Sequence, residues 1–149
     1  MNELNVLTSN GRFENVRSIC GFIADAAEKC GIDESTRFQI ELACDEACTN
    51  VIEHAYGGED KGDIEASWQV EKGYFVITIR DNGSPFDPTP GVTPNETVNG
   101  SNSAEKDLKV GGLGLHFMHK LMDEVKFSFD RERGNILVMK KHIPTEKAS

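Results

Sequence analysis

The chain has 149 residues, enough for one domain with a real hydrophobic core, and its 38% apolar and 28% charged residues describe a folded globular protein. A net charge of −9 argues against direct nucleic-acid binding, because displacing phosphate counterions takes clustered Lys and Arg. No apolar run approaches the roughly 20 residues of a membrane span, and the N-terminus (MNELNVLTSNGRFENV) has neither the basic start nor the apolar stretch of a signal peptide, so a cytoplasmic protein without membrane contact is expected.

In chain order, Leu4 to Thr8 can form a short edge strand. Phe13, Val16, Ile19, Cys20, Ile23 and Ala27 recur at helical spacing, and Gly31 stops that helix near Cys30. Asp33 is placed to cap a second helix with Phe38, Ile40, Ala43, Ala47, Val51 and Ala55 as its apolar stripe, ending at Gly57-Gly58. Strands follow at Asp63 to Val70 and Tyr74 to Asp81, joined by a turn at Glu71-Lys72-Gly73. From Ser84 to Val110 the chain carries Pro85, Pro88, Pro90 and Pro94 among many Asn, Ser and Thr, and reads as a long loop with a helical turn near Glu105. A helix from Gly114 to Met122 and strands near Val125 to Phe129 and Ile136 to His142 complete the pattern. Helices in two groups beside a mostly antiparallel sheet predict an α+β fold in two layers, without repeats or a second domain.

The cysteines Cys20, Cys30, Cys44 and Cys48 form no CxxC pair, and His54, His116, His119 and His142 offer no standard zinc spacing. They read as small apolar-like residues of a reduced core.

Chemistry is concentrated in separate segments. On the second helix, Glu46, Asn50 and His54 stand at i, i+4 and i+8, along one side next to the apolar stripe. A carboxylate and a carboxamide on one line can position a hydroxyl or water together with a metal, although such spacing also marks an ordinary solvated face. Asp81 continues the parity of Phe75, Ile77 and Ile79, so its carboxylate ends a core-facing row and needs a donor there. An adenine amino group would supply one; so would the amides of the Asp81-Asn82-Gly83 turn. Gly111-Gly112-Leu113-Gly114-Leu115 precedes an apolar helix, where glycine amides and the helix N-terminus can hold an anion, or where the glycines simply punctuate the chain. The run does not match a P-loop, and no strand at the chain start suits a dinucleotide fold.

Taken in order, these segments resemble the N, G1 and G2 boxes of the superfamily of gyrase, heat-shock chaperone, histidine kinase and MutL ATP-binding domains, the GHKL or Bergerat fold. The phrases EACTNVIEHAY, DNGSPFDP, GGLGLHFMHKLMDEV and GNILVMKK are most similar to the small bacterial anti-sigma-factor serine/threonine-protein kinases. The resemblance implies a two-layer sandwich with helices on one face of a mixed, mostly antiparallel sheet. It implies ATP and Mg2+ as cofactors, Asn50 as the magnesium ligand, Glu46 as the general base and Asp81 as the adenine reader. Gly83 would let the base lie close, and Gly111, Gly112, Leu113, Gly114 and Leu115 would bind phosphate. His54 falls near the nucleotide, or serves only as a cation at a helix C-terminus. The family often has Thr in a late strand near adenine, where this chain has Gly134-Asn135. The segment 84–110 corresponds to the ATP lid, with Lys106 and Lys109 late in it. The implied partners are a STAS-type anti-sigma antagonist as substrate and a sigma factor, and a homodimer is compatible with the family. A histidine-kinase-like module acting in trans and a non-catalytic ATP-dependent binding module are the alternatives.

Overall fold

The computed structural model describes residues 5–85 and 118–143. Two helices open the chain after a first strand. Helix α1 spans Phe13–Lys29 and buries Val16, Ile19, Cys20, Ile23, Ala26 and Ala27, the face that the apolar spacing predicts. Its first turn is capped from a distance: the Phe13 amide donates to Glu59 Oε2 at 2.7 Å, while the Arg12 side chain makes no cap bond. Helix α2 spans Glu34–Asn50, with Asp33 in the extended backbone of an N-cap (φ −71°, ψ 166°).

The stripe of α2 differs from the expected one. Phe38 is 59% exposed, because it lies two residues from Ile40 and i, i+2 positions do not share a helix face. Asn50, expected beside the stripe, lies in it. Ile40, Ala43, Ala47 and Asn50 are spaced by turns of three, four and three residues, and all are buried. After Asn50 the winding widens into a π turn over Val51–Ala55, where the Tyr56 amide reaches back to the Val51 carbonyl at 2.9 Å. Single π turns of this kind frequently mark functional sites.

The sheet consists of β1 (Val6–Asn10), β2 (Asp63–Glu71), β3 (Tyr74–Asp81), β4 (Glu124–Asp130) and β5 (Gly134–His142). Their spatial order is β1-β2-β3-β5-β4, and every pairing among the described residues is antiparallel. The hairpin between β2 and β3 turns at Lys72 and Gly73, both with positive φ (52° and 84°), which matches the right-handed twist of its strands. Strand β5 starts at Gly134, earlier than the apolar run suggests, and so takes in Asn135.

Alternation along the strands sends Ile64, Ala66, Ile77, Ile79, Leu137 and Met139 to one face, where they join Ile19, Ile23, Ile40 and Ile52 in one apolar cluster. Fully burying each such side chain contributes on the order of 1.5–3 kcal/mol. The two layers are thus helices on one face of a sheet. Cys20, Cys44 and Cys48 lie in this core as free thiols, and a hydrogen bond with the Cys44 thiol together with burial pushes the Cys20 thiol up, keeping it protonated. The end of the last predicted helix is described, helical over 118–121, with Met118 and Met122 buried. No helix among the described residues is long and apolar enough to cross a membrane.

Candidate functional site

The site forms where the buried row of β3 runs out. Asp81 is 4% exposed and stands in register between Ile64 of β2 and Asn135 of β5. Its Oδ1 accepts two bonds, from the Gly83 amide at 2.8 Å and from Asn135 Nδ2 at 2.9 Å. Among the described residues no hydrogen bond goes to Oδ2. The turn reading of Asp81 is thus seen directly: one oxygen ties the turn, and the other accepts no hydrogen bond among the described residues. Burial pushes the Asp81 carboxyl above the usual carboxylate range, partly opposed by the bonds from Asn135 and Gly83.

Asn135 is 3% exposed and uses the same nitrogen twice, donating also to the Ser84 carbonyl at 2.8 Å. Gly134 makes this approach possible. Its φ is +85°, and a Cβ there would run into the Asp81 carbonyl oxygen. Sequence reasoning flagged Gly134-Asn135 only as a departure from the family and gave Asn135 no role. The local signal is the adjacent glycine, but the partner lies 54 positions away and only strand register reveals it.

Asn50 and Asp81 line the same cleft, whose walls also include Ala47, Ile79, Met118 and Asn135. Asn50 is 1% exposed, and its Nδ2 has no hydrogen-bond partner among the described residues. A buried donor without a partner costs on the order of 1–3 kcal/mol, and an acceptor entering the cleft would offset that cost.

The other expected residues fall at different distances from this centre. Glu46 lies one turn before Asn50, half-buried, and does not line the cleft. Burial, with repulsion from Asp45 and Glu53, raises its carboxyl above the ordinary value. His54 sits in the π turn, its side chain 35% exposed and its Nε2 3.9 Å from Glu53 Oε1. It falls within this wider winding and does not line the cleft.

Gly83 packs against the π turn so closely that a Cβ would stand 2.5 Å from the Ala55 carbonyl oxygen. Close by, the Tyr56 hydroxyl accepts the Asn82 amide at 3.0 Å and donates to the Asp63 carbonyl at 2.6 Å. Gly111, Gly112, Leu113, Gly114 and Leu115, the segment 86–110 and its Lys106 and Lys109 lie outside the described residues.

The histidine kinase-like ATPase domain family matches residues 10–141. The chain is 30% identical over 131 residues to the serine-protein kinase RsbW of Bacillus velezensis, covering 84% of this chain and 76% of that one. It is 31% identical over 121 residues to the serine-protein kinase RsbW of Listeria monocytogenes, covering 81% of this chain and 75% of the other. Among solved structures, a chain of the SiaB–SiaC complex from Pseudomonas aeruginosa superposes with a TM-score of 0.54 at 14% identity, covering 95% of this chain and 91% of that one. The catalytic domain of the histidine kinase ThkA superposes with a TM-score of 0.54 at 17% identity, covering 95% and 98%. At such identities the structural likeness concerns the fold alone. The sequence matches go further: the chain belongs to the histidine kinase-like ATPase domain family, in its branch of RsbW-type serine-protein kinases.

Proposed function

We propose that the cleft between Asn50 and Asp81 binds Mg-ATP, and that the chain is an anti-sigma-factor serine kinase. In this reading it phosphorylates a serine or threonine of a small STAS-type antagonist and sequesters a sigma factor as its other partner. The observation that carries the reading is the buried carboxamide of Asn50, whose Nδ2 has no hydrogen-bond partner among the described residues, lining the same cleft as Asp81. A neutral amide suits magnesium, which keeps several waters and takes other oxygens from the triphosphate. The carbonyl oxygen of the amide suits the metal, and its N–H suits an oxygen of a metal-bound phosphate.

Asp81 reads the adenine amino group through Oδ2, and Gly83 keeps the turn low enough for the base. Gly111, Gly112, Leu113, Gly114 and Leu115 supply amides to the phosphates, and His54 belongs to the outer rim. When bound, magnesium neutralises charge that develops across the β- and γ-phosphates. Glu46 orients the acceptor hydroxyl and takes its proton while the oxygen forms a bond to the γ-phosphorus and ADP departs. Its raised carboxyl pKa suits a base, since proton affinity grows with pKa. The whole chain acts as one catalytic domain, and partners that work in transcription place it in the cytoplasm.

The test is incubation of the protein with labelled Mg-ATP and the STAS-type protein encoded nearest to it. Acid-stable phosphoserine or phosphothreonine on that protein supports the reading. Label that is acid-labile favours a histidine-kinase-like module, and ATP binding without transfer to any partner favours a non-catalytic one.

A further inference from the structure

We infer that Asn135 sets the base selectivity of the nucleotide site by saturating one oxygen of Asp81. The inference rests on the nucleotide reading above and concerns a residue to which that reading gives no role. A carboxylate oxygen accepts about two hydrogen bonds. On Asp81 Oδ1 both places are taken, one by the Gly83 amide at 2.8 Å and one by Asn135 Nδ2 at 2.9 Å. The second N–H of Asn135 is committed to the Ser84 carbonyl at 2.8 Å, so this nitrogen has no hydrogen left for a base. Asn135 therefore acts through Asp81 and is a positioning residue.

The consequence follows from the donor patterns of the purines. Adenine presents one exocyclic amino group beside a ring acceptor, and a single carboxylate oxygen answers it. Guanine presents a ring N–H next to an amino N–H, a pair that matches both oxygens of a carboxylate in the way a guanidinium fork does. With Oδ1 filled, guanine finds only Oδ2, and one of its donors enters a buried cleft unmet. Sites that strand a polar group in this way reject the wrong ligand strongly. Gly134 makes the arrangement rigid, because only a residue without Cβ lets β5 approach the Asp81 carbonyl closely enough for Asn135 to reach Oδ1. Removing the amide reopens one acceptor place on Oδ1 and restores a two-oxygen face.

The experiment compares Mg-ATP and Mg-GTP affinities by calorimetry above neutral pH, on the full chain and on Asn135→Ala and Asn135→Leu. Thermal unfolding confirms that each variant is folded. Ala leaves a hole and Leu nearly fills the volume, so lost packing lowers both affinities together and leaves their ratio alone. The expected result is that the parent prefers ATP and that both variants lose about tenfold or more of that preference, the worth of one hydrogen bond to a charged group. If Asn135→Ala does not fold, the ratio in Asn135→Leu decides. A parent protein that binds both nucleotides equally, or folded variants with an unchanged ratio, overturns the role of Asn135. A parent that binds neither nucleotide overturns the underlying reading instead.

Discussion

The carbonyl oxygen of Ala55, the last residue of the π turn, accepts the Ser84 amide at 2.9 Å. Carbonyls at the end of a helix lack intrahelical donors, and here one of them joins the helix carrying Asn50 to the turn carrying Asp81. The separation between those two side chains is thereby held by the backbone.

Gly83→Ala tests that junction. A Cβ at this position would stand 2.5 Å from the Ala55 carbonyl oxygen and 2.8 Å from the Ala55 Cβ, so either the turn or the π segment must shift. Overpacking of this kind costs about 1–3 kcal/mol. Thermal unfolding should occur several degrees lower, and Mg-ATP affinity should fall with it. An unchanged melting temperature and unchanged affinity would show that the two segments are not rigidly joined.

Asn50→Leu separates stability from binding. The Asn50 Nδ2 is buried without a partner among the described residues, so replacing the amide by an apolar side chain of similar size removes a desolvation penalty. Unfolding by denaturant should show stability held or raised by about 1 kcal/mol, while Mg-ATP affinity falls roughly tenfold or more. A variant that is destabilised yet binds normally would place Asn50 in the core alone.

Glu46→Gln addresses chemistry. The variant should keep ATP affinity within a few-fold, because the side chain does not line the cleft. Phosphorylation of the partner should drop by about 100-fold or more, the lower range for a lost general base. Stability moves the other way. A carboxylate whose folded pKa is raised lends stability below its unfolded value and loses it as pH rises through the folded one. Gln removes that loss, so the variant should unfold at higher temperature than the parent at neutral pH. Parental phosphorylation rates in Glu46→Gln would show the base to lie elsewhere.

Asp81 gives binding a pH dependence of defined sign. Burial raises its folded pKa, so protonation sets in at higher pH than for a free Asp. As pH falls through that raised value, Oδ2 can become a donor and stops serving the adenine amino group. Mg-ATP affinity should therefore decline on the acid side before an exposed Asp would titrate. Calorimetry from neutral to mildly acid pH checks this, with the triphosphate's own titration subtracted using a parallel run on Asp81→Asn. Parallel curves for the two proteins would remove Asp81 from the base site.

Much of this protein was decided by local pattern. Helical spacing located α1 and most of α2, two-residue alternation turned Asp81 toward the core, and Lys72-Gly73 closed the hairpin, because each depends on neighbours within a few residues. The boxes around Asn50 and Asp81 were legible for the same reason. Three features depended on the fold as a whole. Asn50 became a core residue, because β3 and β5 cover the end of α2. The π turn that carries His54 is a change of winding that no periodicity in so short a segment encodes. Asn135 found Asp81 only through the register of β3 against β5, which long-range packing sets and which a strand's own residues cannot specify.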